Sequence, residues 1–166
     1  MPTYLFAWNP KLWDWPELPR MRARLGKRGF VDFQWSSGRT RELEPGSRAF
    51  LVRLGVPPKG IIGSGVTMST PVPAPHWIEA KAAIGVTTNY VQLRLETLFE
   101  QPPITFDDLA KPPFSRYRWA VRQSGTYLPE PLADALEKLW DTRVASLPKP
   151  AAMATAVSKR PTKRHR

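Results

Sequence analysis

The alternation of side chains over residues 89–99 constrains the fold more than any other feature of the sequence. Val91, Leu93 and Leu95 fall on one face of an extended chain, and Gln92 and Arg94 fall on the other. Because successive side chains of a strand point to opposite sides, this pattern predicts a strand with one buried face. Such a strand needs neighbours with which to pair, so we expect the chain to fold around a sheet.

Shorter runs of apolar and β-branched residues predict the other strands of this sheet. Each run is bounded by glycine, proline or small polar residues, which is typical of strand ends. The runs cover residues 4–8, 29–35, 48–54, 61–68 and 117–123. In the fourth run, Gly63 and Gly65 allow a bend or a β-bulge.

Helices are expected at the edges of the sheet. A short helix is predicted over residues 21–25, ended by Gly26, and a helical turn follows Thr105 as its N-cap. A longer helix begins near Pro129 and places its apolar residues on one face, namely Leu132, Leu136, Leu139 and Trp140. Strict alternation of strands and helices is absent, which argues against a Rossmann or P-loop fold. The expected fold class is α+β, with a small curved or closed sheet.

Charge divides the chain into a moderately basic body and a strongly basic tail. The net charge is +11, from 25 Lys and Arg against 14 Asp and Glu. Residues 147–166 contribute six of the basic residues and no acid, and their Pro, Ala, Lys and Arg content predicts a disordered tail. Residues 1–146 form one domain by length. This balance favours a polyanionic partner, most simply nucleic acid, although a basic protein without such a partner has the same composition.

Several kinds of chemistry lack the residues that they need. The chain has no Cys and only two His, His76 and His165, so no metal site and no cofactor are expected. A nucleophilic triad would depend on His76 alone, and no Gly-x-Ser-x-Gly elbow is present. The N-terminus lacks a charged segment typical of signal peptides, and no apolar run approaches a membrane span. We therefore expect a cytoplasmic protein that is not an enzyme and has no membrane partner.

Three clusters combine aromatic rings with small polar side chains. They are Trp35-Ser36-Ser37, His76-Trp77 and Gln123-Ser124-Gly125-Thr126-Tyr127. Each has a simpler explanation by itself: a core tryptophan before a loop, a plug at the edge of the core, or a turn before a helix. An aromatic ring can stack on a planar ligand while nearby hydroxyl and amide groups bind its edge. Three such clusters in one basic chain favour a pocket for a planar ligand with polar edges.

Motifs along the chain resemble, in order, the pattern of EVE-like domains. The similar motifs are Trp8-Asn9-Pro10, Trp35-Ser36-Ser37-Gly38, the Pro45-Gly46 turn before Phe50-Leu51-Val52-Arg53, Lys59-Gly60-Ile61-Ile62-Gly63-Ser64-Gly65, His76-Trp77, Asn89-Tyr90-Val91 and Ser124-Gly125. The resemblance covers about residues 4–140 and is strongest to the variant fused to HNH-type restriction endonucleases in bacterial restriction-modification systems. EVE domains belong to the PUA-like group, together with the YTH domains that read methylated adenine in RNA.

The resemblance implies a PUA-like pseudo-barrel of about six strands, with short peripheral helices and a C-terminal helix. It also implies an aromatic cage that accepts a base flipped out of DNA, 5-methylcytosine or 5-hydroxymethylcytosine. Trp35 resembles a cage wall, Ser36 a contact to the base edge and Trp77 a second wall. With the three clusters, it predicts a pocket made of Trp35, Ser36, Ser37, Trp77, Gln123, Ser124 and Thr126. Basic residues expected to hold phosphate are Arg28, Arg39, Arg41, Arg48 and Lys59.

The sequence departs from the fused pattern because it contains no nuclease. We therefore expect a non-catalytic reader of modified double-stranded DNA, which acts alone or beside a separate nuclease or methyltransferase chain. Two alternatives stay open: a reader of a modified base in RNA or tRNA, and a sensor of a free nucleotide. The sequence does not decide which modification is bound.

Overall fold

A computed structural model describes residues 1–148 of the 166-residue chain. Apart from its first two residues, the tail predicted to be disordered lies outside the described residues. The described part is an α+β fold of eight strands and four helices. In chain order these are β1 (Thr3–Trp8), α1 (Leu18–Arg28), β2 (Val31–Gly38), β3 (Arg48–Arg53), β4 (Gly60–Thr67), β5 (Val72–Pro75), α2 (Glu79–Ala83), β6 (Thr87–Leu98), β7 (Ile104–Thr105), α3 (Phe106–Leu109), β8 (Thr126–Leu128) and α4 (Glu130–Ala145).

One mixed sheet contains all the strands. Its main path runs β2-β6-β4-β3-β1-β8, with β5 paired to β6 and β7 paired to β4. The pairing of β1 with β3 is parallel, and the other pairings are antiparallel. The strand predicted from alternation is β6, which pairs with β2, β4 and β5. The alternating segment is therefore the longest strand, with 12 residues, and like β4 it pairs with three neighbours.

The two ends of the sheet approach each other without pairing. The indole N–H of Trp35 on β2 donates to the Ala7 carbonyl on β1 at 3.1 Å. Beyond the end of β2, the Thr40 hydroxyl donates to the Gly125 carbonyl, just before β8, at 2.7 Å. Within residues 1–148 no backbone ladder joins β2 to β1 or β8. The sheet is strongly curved, and side-chain hydrogen bonds rather than strand pairing connect its ends.

Both faces of the sheet are buried in separate apolar clusters. Neighbouring residues Phe50 and Leu51 on β3 belong to different clusters because successive side chains point to opposite faces. One cluster includes the tryptophans of the N-terminal region and is covered by α1. The other is covered by α4, whose Trp140 packs edge-on against Phe50 at 5.8 Å. Two covered faces leave ligand access to the ends of the strands.

Local predictions were confirmed where the chain carries a strong local signal. Thr105 caps α3 and forms a capping box with Asp108. β4 has an irregular register at Ser64 and Gly65, where a side chain at Gly65 would overlap the carbonyl of Arg94. The helix predicted from Pro129 is α4. None of the helices in the described part of the chain has the length and apolar character needed to cross a bilayer.

Predictions were wrong where tertiary contacts outweigh local pattern. Residues 117–123 form irregular backbone with bends rather than a strand, because Trp119 and Val121 pack into the α4-side core. Helix α1 runs on to Arg28 and ends at Gly29 rather than at Gly26. The proline-rich residues 71–75, which none of the predicted strands covers, contain β5, which tolerates proline because it is an edge strand.

Candidate functional site

A cavity of about 600 Å³ opens where the end of β2 meets the segment before β8. Its size lies within the range of about 300–1,000 Å³ that is usual for small-molecule sites. Its lining comes from the end of β1 and the loop after it (Ala7, Trp8, Asn9, Leu12, Trp13), from β2 (Gln34, Trp35, Ser36, Gly38), from Leu54, His76, Trp77, Thr88 and Tyr90, and from the segment before β8 (Val121, Arg122, Gln123, Ser124). The three polar-aromatic clusters identified in the sequence therefore surround one cavity.

Two glycines let the end of β2 and the segment before β8 approach each other. Gly38 and Gly125 have φ of +60° and +82°, in the left-handed region that favours glycine. A Cβ at Gly125 would lie 2.5 Å from the Ser37 carbonyl oxygen, and one at Gly38 would lie 2.9 Å from that of Ser124. Any side chain at these positions would push the two backbones apart and open that wall of the cavity.

Hydrogen bonds fasten this junction. The Gln123 side-chain oxygen accepts the Arg39 backbone N–H at 3.3 Å. The Ser124 hydroxyl oxygen accepts the backbone N–H of Ala7 at 3.1 Å. Ser124 is thus occupied in joining its segment to β1, whereas the amide nitrogen of Gln123 bonds to no other side chain or backbone group among residues 1–148. Gln123 can therefore position its loop and still offer N–H donors to a ligand.

Trp35 is both a core residue and a wall of the cavity. Only 8% of it is exposed, and its ring packs on Trp15 at 4.9 Å and on Phe33 at 5.4 Å. Its N–H is already bonded to Ala7. Trp35 therefore forms the inner end of the cavity, with little free ring surface for a ligand.

The rings with free surface are Trp13 and Trp77, which are 36% and 45% exposed. Trp13 lies 5.7 Å from Trp35 and stacks on Trp15. Sequence reasoning singled out Trp77 but missed Trp13, because the prolines near Trp13 indicated only a segment without regular secondary structure. The neighbouring Trp8-Asn9-Pro10 motif was the signal that could have drawn attention to this loop.

His76 supplies a fixed donor at the cavity. Its ring stacks on Trp77 at 5.4 Å, and its Nδ1 accepts the Ile78 backbone N–H at 3.0 Å. Burial, and to a smaller extent the positive charge of Lys81, lower the pKa of His76 below its usual value of 6.5. The imidazole is therefore neutral at pH 7. Because Nδ1 is an acceptor, the proton must lie on Nε2, which has no partner in residues 1–148.

Ser36 is held in place by its neighbours. Its hydroxyl pairs with that of Thr88 at 3.0 Å and accepts the Gly38 backbone N–H at 3.1 Å. The side chain of Asn89 donates to the Gly38 carbonyl at 2.8 Å, which fixes the same turn. Ser36 lines the cavity as predicted, with its orientation set before any ligand arrives.

One lip of the cavity is positively charged. Arg39, Arg41 and Arg122 are exposed, and none of the ion pairs formed within residues 1–148 involves them. Arg39 and Arg122 both flank Gln123, since Arg39 bonds to it and Arg122 precedes it. Residues 109–129 contain four basic residues and no acid. The segment after β2 and the segment before β8, which are hydrogen-bonded to each other, therefore present guanidinium groups without an ion-pair partner within residues 1–148 beside the cavity.

Two predicted pocket residues do not line the cavity. Ser37 is fully buried, and its hydroxyl donates to the Thr40 carbonyl at 3.1 Å. Thr126 donates to the Gln123 carbonyl at 2.7 Å. Both hydroxyls shape the loops that carry cavity residues, so their predicted contact with a ligand is corrected to a supporting role.

Three predicted phosphate ligands are also placed away from the lip. Arg48 pairs with Glu137 and, at 3.4 Å, with Glu96, so its charge is already balanced. Arg28 lies three residues before the start of β2, and the strand from Val31 to Gln34, the first residue of β2 that lines the cavity, spans about 10 Å. Lys59 is in the β3–β4 loop and does not line the cavity. Only Arg39 and Arg41 of the predicted set stay close to the site.

No protein-family model and no curated protein matches this chain. Its fold is similar to those of several solved structures. A protein from Agrobacterium tumefaciens is 19% identical, with a TM-score of 0.57, over 90% of this chain and 98% of that one. A Pseudomonas syringae protein is 14% identical, with a TM-score of 0.56, over 82% and 98%. A hypothetical protein from Leishmania major is 10% identical, with a TM-score of 0.57, over 86% and 97%. At these identities the likeness shows a shared fold alone.

Proposed function

We propose that the protein is a non-catalytic reader of modified DNA, which accepts a flipped 5-methylcytosine or 5-hydroxymethylcytosine in the cavity. The observation that carries the proposal is the meeting of three distant polar-aromatic clusters around one cavity beside a basic lip. We further propose that the chain is an EVE-like member of the PUA-like group. The hydrogen bond from Trp35 on β2 to Ala7 on β1 supports a pseudo-barrel in which side-chain hydrogen bonds connect the two ends of the sheet.

The cavity offers what a flipped base needs. Such a base loses stacking and pairing worth a few kcal/mol, which the protein must replace. Stacking on an aromatic side chain returns roughly 1–3 kcal/mol per base. Trp13 and Trp77 have free ring surface for this, and the His76 Nε2–H and the Gln123 amide can bond the polar edge.

The free energy that a single methyl group can contribute limits how strongly the protein can prefer 5-methylcytosine to cytosine. One buried methyl group contributes about 0.8 kcal/mol, which corresponds to about a fourfold preference. A larger preference requires steric fit or a hydrogen bond. Gln123 and His76 are donors that could bind a hydroxymethyl oxygen, so a preference well above fourfold for 5-hydroxymethylcytosine would indicate such a bond.

The basic lip supports a polynucleotide rather than a free nucleoside. In this proposal Arg122, which lines the cavity, and the exposed Arg39 and Arg41 hold the phosphates next to a flipped nucleotide. Phosphate contacts fix the register of a protein on nucleic acid and make affinity fall with salt. In this proposal the protein acts in the cytoplasm, and a separate nuclease or methyltransferase chain would act on the DNA that it marks.

The test compares oligonucleotide duplexes that differ only in carrying cytosine, 5-methylcytosine or 5-hydroxymethylcytosine at one position. Trp77→Ala removes an exposed wall, and we expect it to reduce the preference for the modified base to near unity while salt-sensitive binding persists. Trp35→Ala is a poorer probe, because loss of a buried tryptophan costs about 3–5 kcal/mol of folding free energy.

Phe30→Ala is the matched control, since Phe30 is an exposed aromatic residue at the opposite end of β2. It should leave the preference unchanged. Equal binding of the unmutated protein to all three duplexes would refute the proposal. A preference that RNA probes compete away, or tight salt-insensitive binding of a free nucleotide, would instead support the alternatives.

A further inference from the structure

The second lip of the cavity differs from the basic one because it is apolar. We call residues 72–86 the apolar lobe; it contains β5, α2 and the turn that leads into β6. Four of the eleven exposed large apolar residues within residues 1–148 lie on this lobe, namely Val72, Trp77, Ile84 and Val86. Four exposed apolar side chains in one short segment indicate an interaction surface.

Ile84 is the most prominent of these side chains. It is 79% exposed, which makes it the most exposed internal apolar residue in the described part of the chain. Its backbone N–H bonds to the carbonyl of Lys81 at 3.3 Å. The side chain therefore projects from the C-terminal end of α2 into solvent, although burial would stabilise it.

The turn that carries Ile84 is closed by backbone hydrogen bonds. The N–H of Gly85 bonds to Ala82 and that of Val86 to Lys81, each at 3.0 Å. The N–H of His76 bonds to the Val86 carbonyl, also at 3.0 Å. Since His76 lines the cavity and Ile84 is two residues from Val86, the chain places Ile84 within about 7 Å of a residue bonded to the cavity wall.

We propose that Ile84 is a wedge that enters the base stack of duplex DNA beside the flipped nucleotide. This inference rests on the proposed function. Flipping leaves a gap in the stack, and proteins that distort DNA insert Phe, Leu, Ile, Met or Pro between base steps. A β-branched side chain with restricted χ1 on a hydrogen-bonded turn suits this task, because little conformational freedom is lost on insertion.

The charges around the cavity favour DNA as the occupant. A duplex that lies across the cavity would place its backbone against Arg39 and Arg122 on one side and its bases against the apolar lobe on the other. The apolar lobe contains one acid, Glu79, and one base, Lys81, so it has no net charge with which to attract phosphate. Contact through the stacked bases explains why an apolar side chain is exposed there.

The experiment measures affinity for the same modified base in duplex and in single-stranded oligonucleotides. A single strand has no paired stack to open, so the wedge should contribute only in the duplex. We expect Ile84→Ser to weaken duplex binding by about tenfold or more, the loss that corresponds to an isoleucine side chain left unburied. Binding to the single strand should change by less than about twofold, a small fraction of that loss. Ile84→Leu should restore duplex binding, and Phe30→Ser serves as the control.

The outcomes separate the wedge from the base pocket. Failure of the unmutated protein to prefer the modified base in either form would overturn both proposals. If that preference holds while Ile84→Ser affects duplex and single strand equally, or affects neither, the wedge is overturned and the pocket stands. A change in oligomeric state with unaltered duplex binding, measured by analytical ultracentrifugation, would show that the lobe contacts a second copy and would also overturn the wedge.

Discussion

Substitution of Gly125 tests whether the cavity depends on the close approach of two backbones. Gly125 has a φ of +82°, and an added Cβ would lie 2.5 Å from the Ser37 carbonyl oxygen, where ordinary contact begins at 3.4 Å. The segment that carries Gln123 would therefore have to move by roughly 0.9 Å, by the difference between these distances. Binding sites require geometry held to within about 0.5 Å, so Gly125→Ala should disrupt the cavity.

The expected loss of folding free energy has two contributions, which a substitution at a second glycine can separate. A left-handed conformation costs a residue with a side chain roughly 1–2 kcal/mol, and overpacking costs typically 1–3 kcal/mol more. We expect Gly125→Ala to lower the free energy of unfolding by about 2–5 kcal/mol, the sum of both terms. Gly29 has a φ of +80° with no atom within 4 Å of its added Cβ. Gly29→Ala should therefore show only the backbone term of about 1–2 kcal/mol.

Urea unfolding of both variants measures stability, and titration with modified duplex DNA measures binding. Gly125→Ala should lose the preference for the modified base under conditions in which unfolding curves show it to be folded. Gly29→Ala should keep that preference. If Gly125→Ala binds like the unmutated protein, or costs no more stability than Gly29→Ala, then the junction between β2 and the segment before β8 does not shape the site.

Two further predictions concern charge. Replacing Arg39 and Arg122 by Gln should reduce the slope of log affinity against log salt by about 0.9 for each phosphate that the protein no longer neutralises. Arg48→Gln should leave the slope unchanged, because Arg48 is paired with Glu137. Equal slopes for all variants would contradict the basic lip. Asp108, bonded by Arg143 at 3.0 Å, has a pKa lowered from 3.8 to about 2, mainly by that arginine. A depressed pKa in the folded state gives stability that is present above the unfolded value and lost as pH falls from about 4 to 2. Asp108→Asn should therefore cost about 1–2 kcal/mol in urea unfolding at pH 7, after allowance for solvent screening, and much less at pH 2; an equal cost at both pH values would show that the ion pair contributes nothing.

Sequence reasoning worked best where a signal is local. The alternation that identifies β6, the Thr105 N-cap and the glycines of β4 depend on neighbours within a few residues, and each was confirmed. It worked least well for residues 117–123, where a pattern typical of a strand gives irregular backbone with bends. There the burial of Trp119 against Phe114, with its N–H bonded to the Phe114 carbonyl at 2.9 Å, decides the backbone.

The sequence by itself determined the kinds of chemistry available: tryptophans, small hydroxyl and amide side chains, an excess of basic residues, only two histidines and no cysteine. Tertiary structure decided which of them share a site. It places Trp35, Gln123 and Trp13 around one cavity and leaves Ser37 out of the cavity lining. It also pairs Arg48 with Glu137, 89 residues later in the chain. Local propensity acts over a few residues, whereas these contacts depend on how a curved sheet brings its two ends together, which no short stretch of sequence specifies.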